Sequence, residues 1–122
     1  MSVRVYDKGD EVLAASDRLE RALLGAVLTV GLLPKVPPAP EDFASEAHRL
    51  TWRAVLQVAA RGEAPEILPV QWELAKTGLI ERAGGYAYIA SHLDSTDCSD
   101  LAQYGRMVRE AAQIRKFKKL SA

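Results

Sequence analysis

The sequence predicts an all-α protein: a compact bundle of about six helices followed by a longer C-terminal helix. Three observations carry that prediction. Apolar residues recur every three or four positions in each long segment, whereas a half-buried strand would alternate at every second one. Glycine and proline clusters, which interrupt helices, separate those segments. The brief alternation of Val3, Val5 and Tyr6 is too short to sustain a strand.

Met1 to Ser16 show little periodicity and read as a flexible N-terminal arm. The first helix is expected from about Asp17 to Gly31, capped by Ser16 or Asp17, with Leu19, Ala22, Leu23, Ala26, Val27 and Val30 on its apolar face. Gly25 lies within that face and suits close approach of another helix. Leu32 to Pro40 holds four of the six prolines and must be a loop. Glu41 to Phe43 suits a short turn. The second helix begins after Ser45 and runs to Ala60 or Arg61, burying Ala47, Leu50, Ala54, Val55, Val58 and Ala59, with Trp52 on its flank; Gly62 stops it.

A third helix is expected from Pro69 to Thr77, with Val70, Leu74 and Trp72 turned inward and Pro69 at its first position. Gly78 to Leu93 reads GLIERAGGYAYIASHL, and here Gly84-Gly85 makes a corner before a helix over Tyr86 to Leu93. Tyr86 and Tyr88 lie two apart and cannot share a helix face. Tyr86 reads as the less committed of the two, and Tyr88 as flanking Ile89 at a surface groove. DSTDCS, from Asp94 to Ser99, is a polar connector. The last helix, from Asp100 to about Leu120, carries a stripe of Leu101, Tyr104, Val108, Ala111, Ile114 and Phe117 that needs a partner surface.

At 122 residues the chain fits a single domain, 48% hydrophobic and 26% charged with a formal net charge of zero. That balance excludes a strongly basic or acidic protein. No apolar run reaches the roughly 18 residues of a membrane span, and the polar N-terminus is not a signal peptide; a cytoplasmic protein is expected. No segment has the G-x-x-x-x-G-K-[ST] phosphate loop, so the chain itself is not expected to hydrolyse nucleotides. His48 and His92, the only histidines, are far apart in sequence and have no ligand-spaced neighbour, so no metal or cofactor is expected. His48 reads as a helix-flank residue and His92 as a partly protonated ring near a helix C-terminus. Asp94, Asp97 and Asp100 lack the glycine and distal glutamate of a calcium loop. The lone Cys98 has acids nearby that raise its pKa rather than activate it. Arg115, Lys116, Lys118 and Lys119 are candidate phosphate contacts, set against the plainer reading of a solvated face whose cations stabilise a helix end.

Four stretches together resemble the N-terminal domain of DnaB-type replicative helicases. They are DRLERALLGAVL from Asp17, EDFASEAHRLTWRAVLQVAARGEAP from Glu41, LAKTGLIERAGGYAYIASHL from Leu74 and QYGRMVREAAQIRKF from Gln103. The match runs in unbroken order from about Asp17 to Leu120, with APEILPVQWEL departing from the family's usual lead into its third helix. The resemblance implies a globular head over residues 17–98 and, over residues 99–122, a C-terminal helix that begins a hairpin or linker; the second hairpin helix is missing.

It implies a non-catalytic scaffold whose copies associate into the collar of a hexamer and which docks the helicase-binding domain of a DnaG-type primase or a helicase loader, with nucleic-acid contact weak or indirect. The residues expected at the partner surface are Tyr86, Tyr88, Ser91 and His92. Those expected between copies are Tyr104, Val108, Ala111, Ile114 and Phe117. Two alternatives stand beside this reading. One is a small stand-alone nucleic-acid-binding or regulatory protein using Arg115 to Lys119, and the other a free-standing helicase mimic acting as adaptor or inhibitor.

Overall fold

The computed structural model describes residues 8–95 and 100–121. Helices α1 (Lys8–Val30), α2 (Glu46–Ala60), α3 (Ile67–Lys76), α4 (Tyr86–Ser91) and α5 (Leu101–Ser121) are joined by two 3-10 turns, Pro40–Asp42 and His92–Ser95, and no strand occurs among the described residues. The expectations for Met1 to Asp7, for Cys98, and for most of the DSTDCS connector, including the alternative cap Ser99, fall outside the described residues.

Helix α1 is the central element. It contributes Leu23, Leu24, Val27 and Leu28 to a core completed by Trp52, Val55 and Val58 of α2, Leu74 of α3, Ile89 of α4 and Val108 of α5. Helix α5 runs back along α1, so that Tyr104 lies across from Ala22 and Ile114 across from Ala15. This corrects the expected arm: residues 8–16 extend α1 instead of hanging free. Ala15 forms part of the wall facing α5 and Ser16 is buried, and packing of that kind stabilises a helix more than its intrinsic propensity does. Asp100 caps α5, its carboxylate accepting from the Gln103 N–H at 2.9 Å.

Two tryptophan assignments are also corrected. Trp52, expected on a flank, is fully buried, because the proline segment folds over α2 and takes the indole: Trp52 Nε1 donates to the Pro38 carbonyl at 2.7 Å, and Phe43 packs on the ring at 5.2 Å. Trp72, expected inside, is 66% exposed. Helix α3 starts at Ile67, and its inward face is made by Val70, Leu74 and the buried Glu73. Burial alone would raise the Glu73 carboxyl, but Lys76 and Arg61 beside it hold it below its usual value. Pro69 falls within the first turn of α3, where its missing N–H breaks no intrahelical bond.

The Gly84-Gly85 corner then sets the direction of α4. Both glycines have positive φ, +106° and +88°, where a side chain is disfavoured. A Cβ on Gly84 would come within 2.4 Å of Tyr88 Cδ2, so the corner both turns the chain and seats that ring. Helix α4 is shorter than expected, giving way to the 3-10 turn at His92.

Candidate functional site

The glycine corner delivers Tyr88, Ser91 and His92 onto the polar flank of α1, opposite α2. There they meet Glu20 and Arg21 of α1 and His48 of α2, with Arg21 bonded to His92 across 71 positions of the chain. Glu20 is the anchor. Its buried carboxylate accepts the Ala44 N–H at 2.7 Å, the Ser45 N–H at 3.4 Å and His48 Nδ1 at 2.8 Å. It therefore places negative charge where α2 begins, at the positive end of that helix. With Nδ1–H committed to the carboxylate, Nε2 of a neutral His48 is the acceptor for the Tyr88 hydroxyl, 2.8 Å away.

Arg21 closes the other side. Its Nε donates to His92 Nδ1 at 3.3 Å, its Nη2 donates to Ser91 Oγ at 2.7 Å, and its guanidinium lies 5.3 Å over the Tyr88 ring. The His92 ring stands edge-on to Tyr88 at 4.9 Å and to His48 at 5.4 Å. Accepting at Nδ1 leaves its proton on Nε2, which finds no hydrogen-bond acceptor among the described residues. Burial, with the Arg21 guanidinium acting in the same direction, lowers His92 to a pKa of about 3. The reading of His92 as a partly protonated ring is thus corrected: the site keeps it neutral. His48, read as a flank residue, is also fully buried.

This arrangement holds and positions its side chains. Burial raises the Tyr88 hydroxyl above its ordinary value, with Asp17 adding to the effect, so the phenol stays protonated. His92 is neutral and out of contact with water. Among the described residues no group of three His, Cys, Asp or Glu side chains is arranged to hold a metal ion. The cluster joins three helices that otherwise meet mainly through apolar contacts.

Of the four residues expected at a partner surface, Tyr88, Ser91 and His92 belong to this cluster, with His92 fully buried. Tyr86 stands apart, 53% exposed, its carbonyl accepting from Gln71 Nε2 at 3.2 Å. That bond ties α4 to α3, whose outer face carries the exposed Leu68 and Trp72 one turn apart. Sequence reasoning missed Glu20, Arg21 and His48 as a group. Its one available signal was a Glu-Arg pair, Glu20-Arg21, set between the apolar Leu19 and Ala22 of the first helix.

The last helix divides its expected residues differently. Val108 and Ala111 are buried against α1, Tyr104 and Ile114 are half-buried, and Phe117 is 73% exposed. Gly105 lets α5 approach the proline segment, since a Cβ there would lie 3.3 Å from Pro34. Of the basic residues, Arg115 donates to the Asp42 carbonyl at 2.7 Å and Arg109 to the Val36 carbonyl, so both hold the loop ahead of α2. Arg115, Lys116, Lys118 and Lys119 line an open cavity of about 520 Å³, and Glu41 sets a carboxylate into the same cavity.

Comparison with known proteins gives a consistent neighbourhood. Residues 12–110 match the model of the family described as DnaB-like helicase N terminal domain. The chain is 35% identical over 102 residues to the replicative DNA helicase DnaB of Geobacillus stearothermophilus, an alignment covering 80% of this chain and 22% of that one. It is 30% identical over 102 residues to the replicative DNA helicase DnaC of Bacillus subtilis, again covering 80% and 22%. The chain thus spans about a fifth of the length of these relatives. Among solved structures, the crystal structure of the N-terminal domain of DnaB helicase from Mycobacterium tuberculosis superposes with a TM-score of 0.74 at 27% identity, covering 84% of this chain and 77% of that one.

Proposed function

The chain belongs to the DnaB-like helicase N-terminal domain family, and from that premise we propose that it is a non-catalytic scaffold in DNA replication. In this role its copies associate with one another and it docks the helicase-binding domain of a DnaG-type primase or a loader. The observation that carries the docking half is the α4 corner. Glycine geometry and the Glu20–His48–Tyr88 chain fix its backbone, while Tyr86 at its first position is 53% exposed and its carbonyl accepts from Gln71 of α3. An exposed tyrosine on a rigidly held helix, tied to a second helix that exposes Leu68 and Trp72, has the composition of an interface anchor. The copy-to-copy half rests on α5, where Phe117, Ile114 and Tyr104 keep accessible apolar surface after Val108 and Ala111 have been buried against α1. No described helix is long and apolar enough to cross a membrane.

Calorimetric titration of a primase helicase-binding domain into this chain tests the docking half. Saturable binding supports it, and the absence of heat at high micromolar concentrations of both proteins would sink it. Light scattering tests the other half: Ile114→Asp converts an associated species to monomer, and a variant that associates like the parent refutes the role given to α5.

A further inference from the structure

Between α1 and α5 lies a groove made of two adjoining cavities of about 550 and 180 Å³, which share Ala15, Leu19 and Met107. Its floor is apolar, and Met107 within it is 39% exposed, so the groove keeps accessible apolar surface. The charge along it is polarised. The larger cavity carries Arg18 and Arg21, and the smaller carries Glu110. Arg21 is already committed to Ser91 and His92. Arg18 and Glu110 are both exposed, and among the described residues neither takes an ion-pair partner.

We propose that this groove is a two-fold contact between copies of the chain, in which Arg18 of each copy pairs with Glu110 of the other around the shared Leu19–Met107 centre. The proposal rests on the copy-to-copy half of the reading above and assigns it a surface. A two-fold contact brings one patch against itself, so whatever lies at one end of the patch meets what lies at the other. A groove basic at one end and acidic at the other is self-complementary under that operation, and the axis then passes between Arg18 and Glu110, over the apolar centre. A patch of one sign would repel its own copy; this one attracts it twice. The pairing fixes register while the apolar floor supplies contact area, the usual division between a polar rim and a hydrophobic centre.

The test is a charge-swap cycle on the whole chain, read by sedimentation equilibrium at low and high salt, with helical circular dichroism as the folding control. Arg18→Glu alone sets two like-charge contacts across the axis, and Glu110→Arg alone does the same with the opposite sign. Each is expected to weaken self-association by about tenfold or more at low salt, and by less at high salt, where exposed charges are screened. The double variant, Arg18→Glu with Glu110→Arg, restores the pairing and is expected to recover most of the parent's affinity. Recovery separates this arrangement from a general effect of net charge, because the double variant and the parent carry the same total.

Single variants that associate like the parent, or a double variant weaker than both singles, would overturn the proposal. If association ignores both swaps yet falls with Phe117→Asp, the copies meet elsewhere on α5; the groove assignment then fails and the association reading survives. A parent that stays monomeric at high micromolar concentration overturns both, while primase-domain titration of the same sample reports on docking separately.

Discussion

Removal of the Glu20 carboxylate is the most informative perturbation of the fold. In Glu20→Ala the Ala44 N–H and His48 Nδ1–H, bonded at 2.7 and 2.8 Å, lose their acceptor inside the protein; the 3.4 Å contact from the Ser45 N–H is long and adds little. An unpaired buried donor costs about 1–3 kcal/mol, so the two strong bonds give a loss of about 4 kcal/mol. Against a stability of roughly 6–18 kcal/mol for a chain of this size, the melting temperature is expected to fall by roughly 15 °C.

Glu20→Gln separates hydrogen bonding from charge. The amide oxygen can still accept from Ala44, and its NH₂ can donate to His48 Nδ1 once the imidazole carries its proton on Nε2, with the Tyr88 oxygen accepting instead. The expected cost is about half that of the alanine variant. Urea and thermal denaturation of both variants measure the two values. A Glu20→Ala loss under about 1 kcal/mol would refute the claim that this carboxylate ties α1 to the start of α2, and equal losses would refute the tautomer argument.

Two further predictions concern the corner and its ring. Gly84→Ala places a methyl 2.4 Å from Tyr88 Cδ2 at a φ of +106°; left-handed strain of about 1–2 kcal/mol, together with loss of the roughly 1 kcal/mol Tyr88–His48 bond, predicts about 3 kcal/mol by denaturation, and a change below 0.5 kcal/mol would contradict the geometry. His92 has its folded pKa lowered to about 3 from 6.5, so its contribution is complete above pH 6.5 and is lost as pH falls toward 3, where the unfolded chain binds the proton and the fold resists it. At pH 5 the loss is roughly 2 kcal/mol from the 1.36 kcal/mol per unit relation, and it is expected to vanish in His92→Phe; an identical pH dependence in that variant would assign the effect to other groups.

Helix existence was legible in the sequence because each apolar face repeats at the helical period, and the breaks fall at Gly31, Gly62, Gly78 and the Gly84-Gly85 pair. What periodicity does not carry is direction in space. Trp52 and Trp72 each sit at the margin of an apolar stripe; only the proline segment folding across α2 buries the first, and only the lean of α3 onto Val70 and Leu74 exposes the second. The start of α1 was hidden because Asp7 to Glu11 is too charged to show a face, although Ala15 lines the groove between α1 and α5. The polar cluster was the least visible part. His48 and His92 are separated by 44 positions, yet their rings lie 5.4 Å apart, and no spacing rule links a histidine of α2 to one beyond the corner. The glycine pair signalled that a corner exists, and the side chains it delivers emerge only from the tertiary contacts.

The most direct test of the central claim, that a rigid corner presents an anchor for a replication partner, is calorimetric titration of a primase helicase-binding domain into the parent chain and into Tyr86→Ala. Tyr86 takes part in the fold chiefly through its backbone, so the variant should melt like the parent while its affinity falls at least tenfold, as expected for loss of an interface anchor. Equal affinity for parent and variant, with both folded, would contradict the account.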